Sequence, residues 1–136
     1  MKKTILLTAF LLSFLLIQAQ TPKIDMIVAG KTIAYKTLKS KTKLIVIKIK
    51  DIIENRKLEL TDNTYVIEKY TFFISVNGKL IELKENGSTL TEDVIGEIKE
   101  LDSAKDKKFN AYIDDIIALH DDKEVKLPVV KFILEK

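Results

Sequence analysis

Residues 65–83, YVIEKYTFFISVNGKLIEL, decide how this chain folds. Two runs rich in β-branched and aromatic residues flank Asn77-Gly78, the pair that tolerates the positive φ angles of a two-residue type I′ turn. Closing that turn fixes a register: Val76 faces Lys79, Ile74 faces Ile81, Phe72 faces Leu83 and Tyr70 faces Glu85. Strict alternation then puts Val66, Tyr70, Phe72, Ile74, Val76, Ile81 and Leu83 on one face, with Glu68 as the exception, and points Ile67 and Phe73 the other way.

Outward from the hairpin the pattern stays mainly β. Asn86-Gly87-Ser88 breaks the second strand, and Thr91 follows as a helix N-cap with Glu92 and Asp93 in the first turn, where carboxylates meet the positive end of the helix dipole. Leu90 is placed to staple onto Ile95, and Val94, Ile95, Ile98 and Leu101 form the buried stripe of a short helix that Gly96 weakens. A polar turn over residues 102–108 precedes a strand from Phe109 to Leu119, and a last strand from Val129 to Leu134 follows Pro128. Upstream, Ile24 to Val28 reads as a strand ended by Ala29-Gly30, and Lys43 to Lys50 as a strand with Ile45, Ile47 and Ile49 on one face and Lys48 and Lys50 on the other. The expected fold is mainly β, an Ig-like β-sandwich with one short helix.

The N-terminus sets the compartment. Lys2 and Lys3, the 13-residue apolar run Ile5–Ile17 and the small Ala19 make a signal peptide over residues 1–19, too short for the roughly 20 apolar residues of a membrane span. Residues 20–136 then form a single periplasmic or secreted domain with no membrane span. With no Cys, neither a disulfide framework nor lipidation at a signal-peptide Cys is available. Loss of Lys2 and Lys3 takes the net charge from +3 to +1, yet the charge is lopsided: residues 31–50 hold seven Lys and no acid, and residues 92–124 hold eleven acids against five Lys. Such a split steers charged partners, and Lys36, Lys39, Lys41 and Lys43 are the candidate interaction patch. Arg56 is the only Arg, which disfavours nucleic acid, because bidentate recognition of phosphate or guanine depends on the guanidinium fork.

Residues able to carry chemistry are few. His120 is the only His, beside Asp121 and Asp122 in a hairpin turn, and no nucleophile motif accompanies Ser40, Ser75, Ser88 or Ser103. The group His120, Asp121, Asp122 and Glu124 lacks the spacing and the Gly of a calcium loop. Asp114 and Asp115 adjoin Ile113, Ile116 and Ile117; as strand neighbours they are expected on opposite faces, one in solvent and the other accepting backbone or Lys hydrogen bonds. No catalytic residue, cofactor or metal is expected.

The succession YVIEKYTFFISVNGKLIEL, NGSTLTEDVIGEIKEL and FNAYIDDIIALHDDKEVKLPVVKFIL resembles the C-terminal periplasmic domain of the GldM family of gliding-motility and type IX secretion proteins. The family's I-(E/D)-(D/N)-I strand matches Ile113-Asp114-Asp115-Ile116, and its closing L-P-x-(I/V)-x-F strand matches Leu127-Pro128-Val129-Val130-Lys131-Phe132. The opening PKIDMIVAGKTIAYKTLKSKTKLIVIKI fits more loosely, so the resemblance spans most of residues 22–136. Two departures stand out: His120-Asp121-Asp122-Lys123 replaces a Gly-Pro-Asp-Gly turn, and GldM carries a membrane helix and several domains ahead of this one, where a cleavable signal is expected here. The resemblance implies an exported, non-enzymatic protein-binding or assembly module that meets an envelope partner or a second copy of itself. Two other functions fit the sequence: a small periplasmic enzyme or enzyme inhibitor acting through the His120 turn, and a carrier whose sheet encloses an apolar ligand.

Overall fold

The computed structural model describes residues 24–34 and 44–136. The signal segment and Lys36, Lys39, Lys41 and Lys43 lie outside the described residues. The hairpin forms in the expected register: β5 (Val66–Val76) pairs antiparallel with β6 (Lys79–Asn86), with Val76 opposite Lys79, Ile74 opposite Ile81, Phe72 opposite Leu83 and Tyr70 opposite Glu85. Asn77 and Gly78 turn the chain at φ 51° and 77°. A Cβ on Gly78 meets nothing within 4 Å, so only backbone strain opposes substitution there. Gly78→Val is expected to cost about 1 kcal/mol or more in denaturant melts, because a β-branched residue resists positive φ.

Around this hairpin the described residues build a β-sandwich of two unequal sheets. The smaller, ordered β2-β1-β4, contains β1 (Met26–Val28), β2 (Lys31–Ile33) and β4 (Leu58–Leu60). The larger has six strands in the order β3-β9-β7-β5-β6, with β8 also paired to β7. Its remaining members are β3 (Val46–Lys48), β7 (Lys108–His120), β8 (Lys123–Leu127) and β9 (Val130–Glu135). β7 is long enough to take β9 along its first half and β8 along its second, the change falling at Pro128. One core unites Met26, Val28, Leu58 and Leu60 of the small sheet with Phe72, Ile74, Ile113, Phe132 and Leu134 of the large one.

The helix of nine residues, here α2 (Glu92–Glu100), starts where the sequence places it. Thr91 caps it by accepting from Val94 N–H at 3.4 Å, and Leu90, Val94, Ile95, Ile98 and Leu101 are buried. Gly96 is exposed with free space where a Cβ would sit, so Gly96→Ala is expected to raise stability by about 1 kcal/mol in urea denaturation.

Three expectations are corrected. The strand read over Lys43–Lys50 ends at Lys48, and Ile49 opens a six-residue helix, α1 (Ile49–Glu54). Ile49 and Ile52 are both buried, a spacing of three that suits a helix, and Ile49 also satisfies the alternation of the strand before it. Ala29-Gly30 ends β1 as expected, and at φ 50° and 76° it turns the chain into β2. Val66 is 57% exposed and Ile67 only 3%, the reverse of the alternation, because Glu68 is an extra residue on β5 between the pairs Ile67–Ala118 and Lys69–Ile117.

The third concerns the opposite faces expected of Asp114 and Asp115, although Asp115 is exposed and Asp114 accepts a backbone N–H as expected. Between Lys69–Ile117 and Thr71–Asp114 the extra residue lies on β7, and Asp115 adopts φ 49°. This bulge turns both carboxylates away from the core and lets Ile113 and Ile116, three apart, both point into it at 0% exposure. Asp114 Oδ1 accepts from Asp115 N–H at 2.8 Å, and Asp115 sits 3.7 Å from Lys126 Nζ. The bulges on β5 and β7 offset one another, and the original register resumes beyond them.

Candidate interaction surface

Among the described residues three places gather polar and aromatic side chains. The first is the turn between β7 and β8, where Asp121 and Asp122 both hold positive φ, 50° and 61°. His120 stacks on the Tyr65 ring, with centroids 4.1 Å apart and planes inclined by 11°. Its Nδ1 lies 3.2 Å from Thr64 Oγ1, and its Nε2 lies 3.4 Å from Asp121 Oδ2. Thr64 Oγ1 donates its only proton to Asp62 Oδ1 at 2.6 Å, so His120 Nδ1 must be the donor to the threonine oxygen. The hydroxyl proton is thus committed to a carboxylate, and this imidazole is not set to remove it. The Thr64 hydroxyl first, then the Thr64 N–H, hold the Asp62 carboxyl below its ordinary value, and His120 adds to this. The arrangement clasps the loop before β5 to the β7–β8 turn. Among the described residues no three His, Cys, Asp or Glu side chains form a group suited to a metal ion.

The second place is the shallow depression that the two bulges open, about 430 Å³, lined by Lys69, Lys84, Glu85, Asp115 and Lys126 with Tyr70 and Thr71 among its other residues. Tyr70 is only 2% exposed, and its hydroxyl donates to Thr89 O at 2.8 Å, tying β5 to the segment ahead of α2. Burial pushes its hydroxyl from 10.0 up to about 12. Because the folded value is raised, the neutral phenol stabilises the fold below pH 10, and that contribution is lost as pH climbs towards about 12. One tyrosine is therefore expected to ionise only near pH 12 in tyrosinate absorbance. Its signal should be missing in Tyr70→Phe, which should also lose about 1 kcal/mol for the hydrogen bond.

The third place is the outer face of the large sheet with its β6 edge. Phe73, Tyr112 and Ile133 each lie between two inward residues, so they stand on the face away from the core, half-buried. Pairing aligns them across strands: Glu82, Phe73, Tyr112 and Lys131 form one row over β6, β5, β7 and β9. Lys131 Nζ lies 5.6 Å from the Tyr112 ring centroid, a cation–π distance. Leu80, 60% exposed, stands on the same face at the edge strand. At the far side Lys48 pairs with Glu135 at 3.3 Å. An aromatic pair set among charges has the composition of a protein-binding patch, whose anchors are apolar and whose rim is polar.

The sequence did not reveal this surface, because the row depends on β7–β9 and β5–β7 pairings between residues far apart in the chain. Its nearest signal was Phe73, which alternation assigns to the second face of the hairpin. As for the apolar carrier, the pocket between the sheets, lined by Met26, Ile33, Leu60, Ile116 and Leu127 among others, holds about 20 Å³, too little for any ligand larger than a water. Among the described residues no helix is long and apolar enough to cross a membrane. No family model matches the chain, and no curated protein is significantly similar to it.

Proposed function

We propose that this chain is an exported, non-enzymatic binding or assembly module of the kind found at the C-terminus of GldM, working in the periplasm or outside the cell. The observation that carries the reading is the outer sheet face, where Phe73 and Tyr112 lie side by side in a row bounded by Glu82 and Lys131 and run up to the β6 edge. The export expectation rests on residues 1–19 and the GldM likeness on the motif order; both belong to this proposal. The fold supports it by supplying a hydrogen-bonded sheet, the kind of platform on which a protein partner docks with little reorganisation.

The test is affinity capture from the cell envelope with the wild-type protein and a Phe73→Ala/Tyr112→Ala variant, checked for an unchanged circular dichroism spectrum. The wild type should retain a defined envelope protein that the variant loses by about tenfold or more, as anchors of this kind contribute 1–2 kcal/mol or above each. Equal recovery by the two proteins would contradict the reading.

A further inference from the structure

The free edge of β6 has a chemistry of its own. In a two-residue hairpin the pair that closes the turn exchanges hydrogen bonds, and hydrogen-bonded pairs alternate along the ladder. Starting from Val76–Lys79, the main-chain groups of Lys79, Ile81, Leu83 and Glu85 therefore turn to β5, and those of Leu80, Glu82, Lys84 and Asn86 turn outward. β6 ends the strand order, and among the described residues nothing bonds to these four N–H and four C=O groups. Neither a proline nor a bulge interrupts the strand, two of the devices that blunt an exposed edge; a third, charge, is present. Its charges are Lys79 and Lys84 against Glu82 and Glu85, a balanced set that does not repel a copy of itself.

The geometry points to a second copy of this chain as the partner, joined by antiparallel β6–β6 pairing. A continuous sheet keeps each residue opposite one of the same face, which limits the two-fold axis to positions on single residues. An axis at Glu82 sets Glu82 against itself, and one at Lys84 sets Lys84 against itself, like charges that oppose pairing. An axis at Ile81 leaves Lys84 and Asn86 without partners. An axis at Leu83 uses all four outward residues: Glu82 faces Lys84 of the second copy on both sides of the axis, Leu80 faces Asn86, and Leu83 faces Leu83. Two pairs set an apolar residue against a polar one, Leu80 opposite Asn86 on the outer face and Ile81 opposite Glu85 on the inner side, where Ile81 and Glu85 are half-buried. The charged rows of the two outer faces then run on across the seam. This deepens the assembly-module reading by naming its partner, and rests on it.

The experiment is sedimentation equilibrium of the purified protein from about 1 μM to about 1 mM, with the fold of each variant checked by circular dichroism. The wild type should dimerise reversibly. Glu82→Lys and Lys84→Glu, singly, should each weaken the dimer by about tenfold, since each replaces two opposite-charge pairs with two like-charge pairs. The double exchange Glu82→Lys/Lys84→Glu restores both pairs and should return to within about threefold of wild type. Lys84→Pro, at a position whose N–H faces outward, should keep the monomer folded and abolish the dimer. A wild type that stays monomeric throughout overturns the proposal and leaves the edge to a foreign strand. So does a charge reversal without effect, or a double exchange that fails to recover. None of these results touches the outer-face reading, which stands or falls on Phe73 and Tyr112.

Discussion

Ile116→Asp is expected to leave the chain without cooperative tertiary structure at 25 °C, whereas Asp115→Val, one position away, should cost only about 1 to 2 kcal/mol. Ile116 is fully buried, and a carboxylate there has no partner, a penalty of several kcal/mol against a total stability on the order of 5–15 kcal/mol. Asp115 is exposed at φ 49°, so a β-branched replacement meets only backbone strain. In an unbulged strand Ile116 would share its face with Asp114 and tolerate an acid. A near-ultraviolet circular dichroism signal and a cooperative urea transition in Ile116→Asp would therefore remove the bulge from the account.

Phe72→Ala should destabilise by about 3–5 kcal/mol in urea denaturation, the range for emptying a packed aromatic site. Phe72 is 1% exposed at the centre of β5, between β6 and β7, and its ring lies 6.4 Å from that of Phe132 at 58°, a tilted aromatic pair. A double-mutant cycle with Phe132→Ala is expected to show a coupling of about 0.5–1.5 kcal/mol. A loss below about 1 kcal/mol for Phe72→Ala would mean that β5 is not the spine of the core.

What the sequence made legible was local. Asn77-Gly78 carries its own turn chemistry, and the pairing of Ile74 with Ile81 follows by counting. Thr91 with Glu92 and Asp93 declares a helix start without reference to the rest of the chain. Each missed feature depended on pairing at long range or on a residue in an uncommon conformation. β4 is three residues long and finds β1 about thirty residues upstream, so periodicity has too little to count. The β5 bulge at Glu68 reverses the faces of Val66 and Ile67, yet Glu68 itself looks like an ordinary polar residue in the strand. For Asp115 a signal existed: two isoleucines three apart around two acids cannot both be buried in a straight strand, and a bulge resolves the conflict. The candidate surface was hidden for the same reason, since only the order of strands in the sheet reveals that β6 is an edge and that Phe73 neighbours Tyr112. Of the Lys-rich stretch that the charge pattern favoured, Lys36, Lys39, Lys41 and Lys43 lie outside the described residues, Lys31 donates to Val46 O, and Lys48 is engaged with Glu135.

The claim that this module assembles through β6 is tested most directly by residue-resolved amide hydrogen exchange at several protein concentrations. The N–H groups of Ile81, Leu83 and Glu85, which turn to β5, should be protected at every concentration. Those of Leu80, Glu82, Lys84 and Asn86 should exchange rapidly in dilute protein and slow together as concentration rises, because only a second copy occupies them. Equal exchange at these four amides from the most dilute to the most concentrated sample would contradict it.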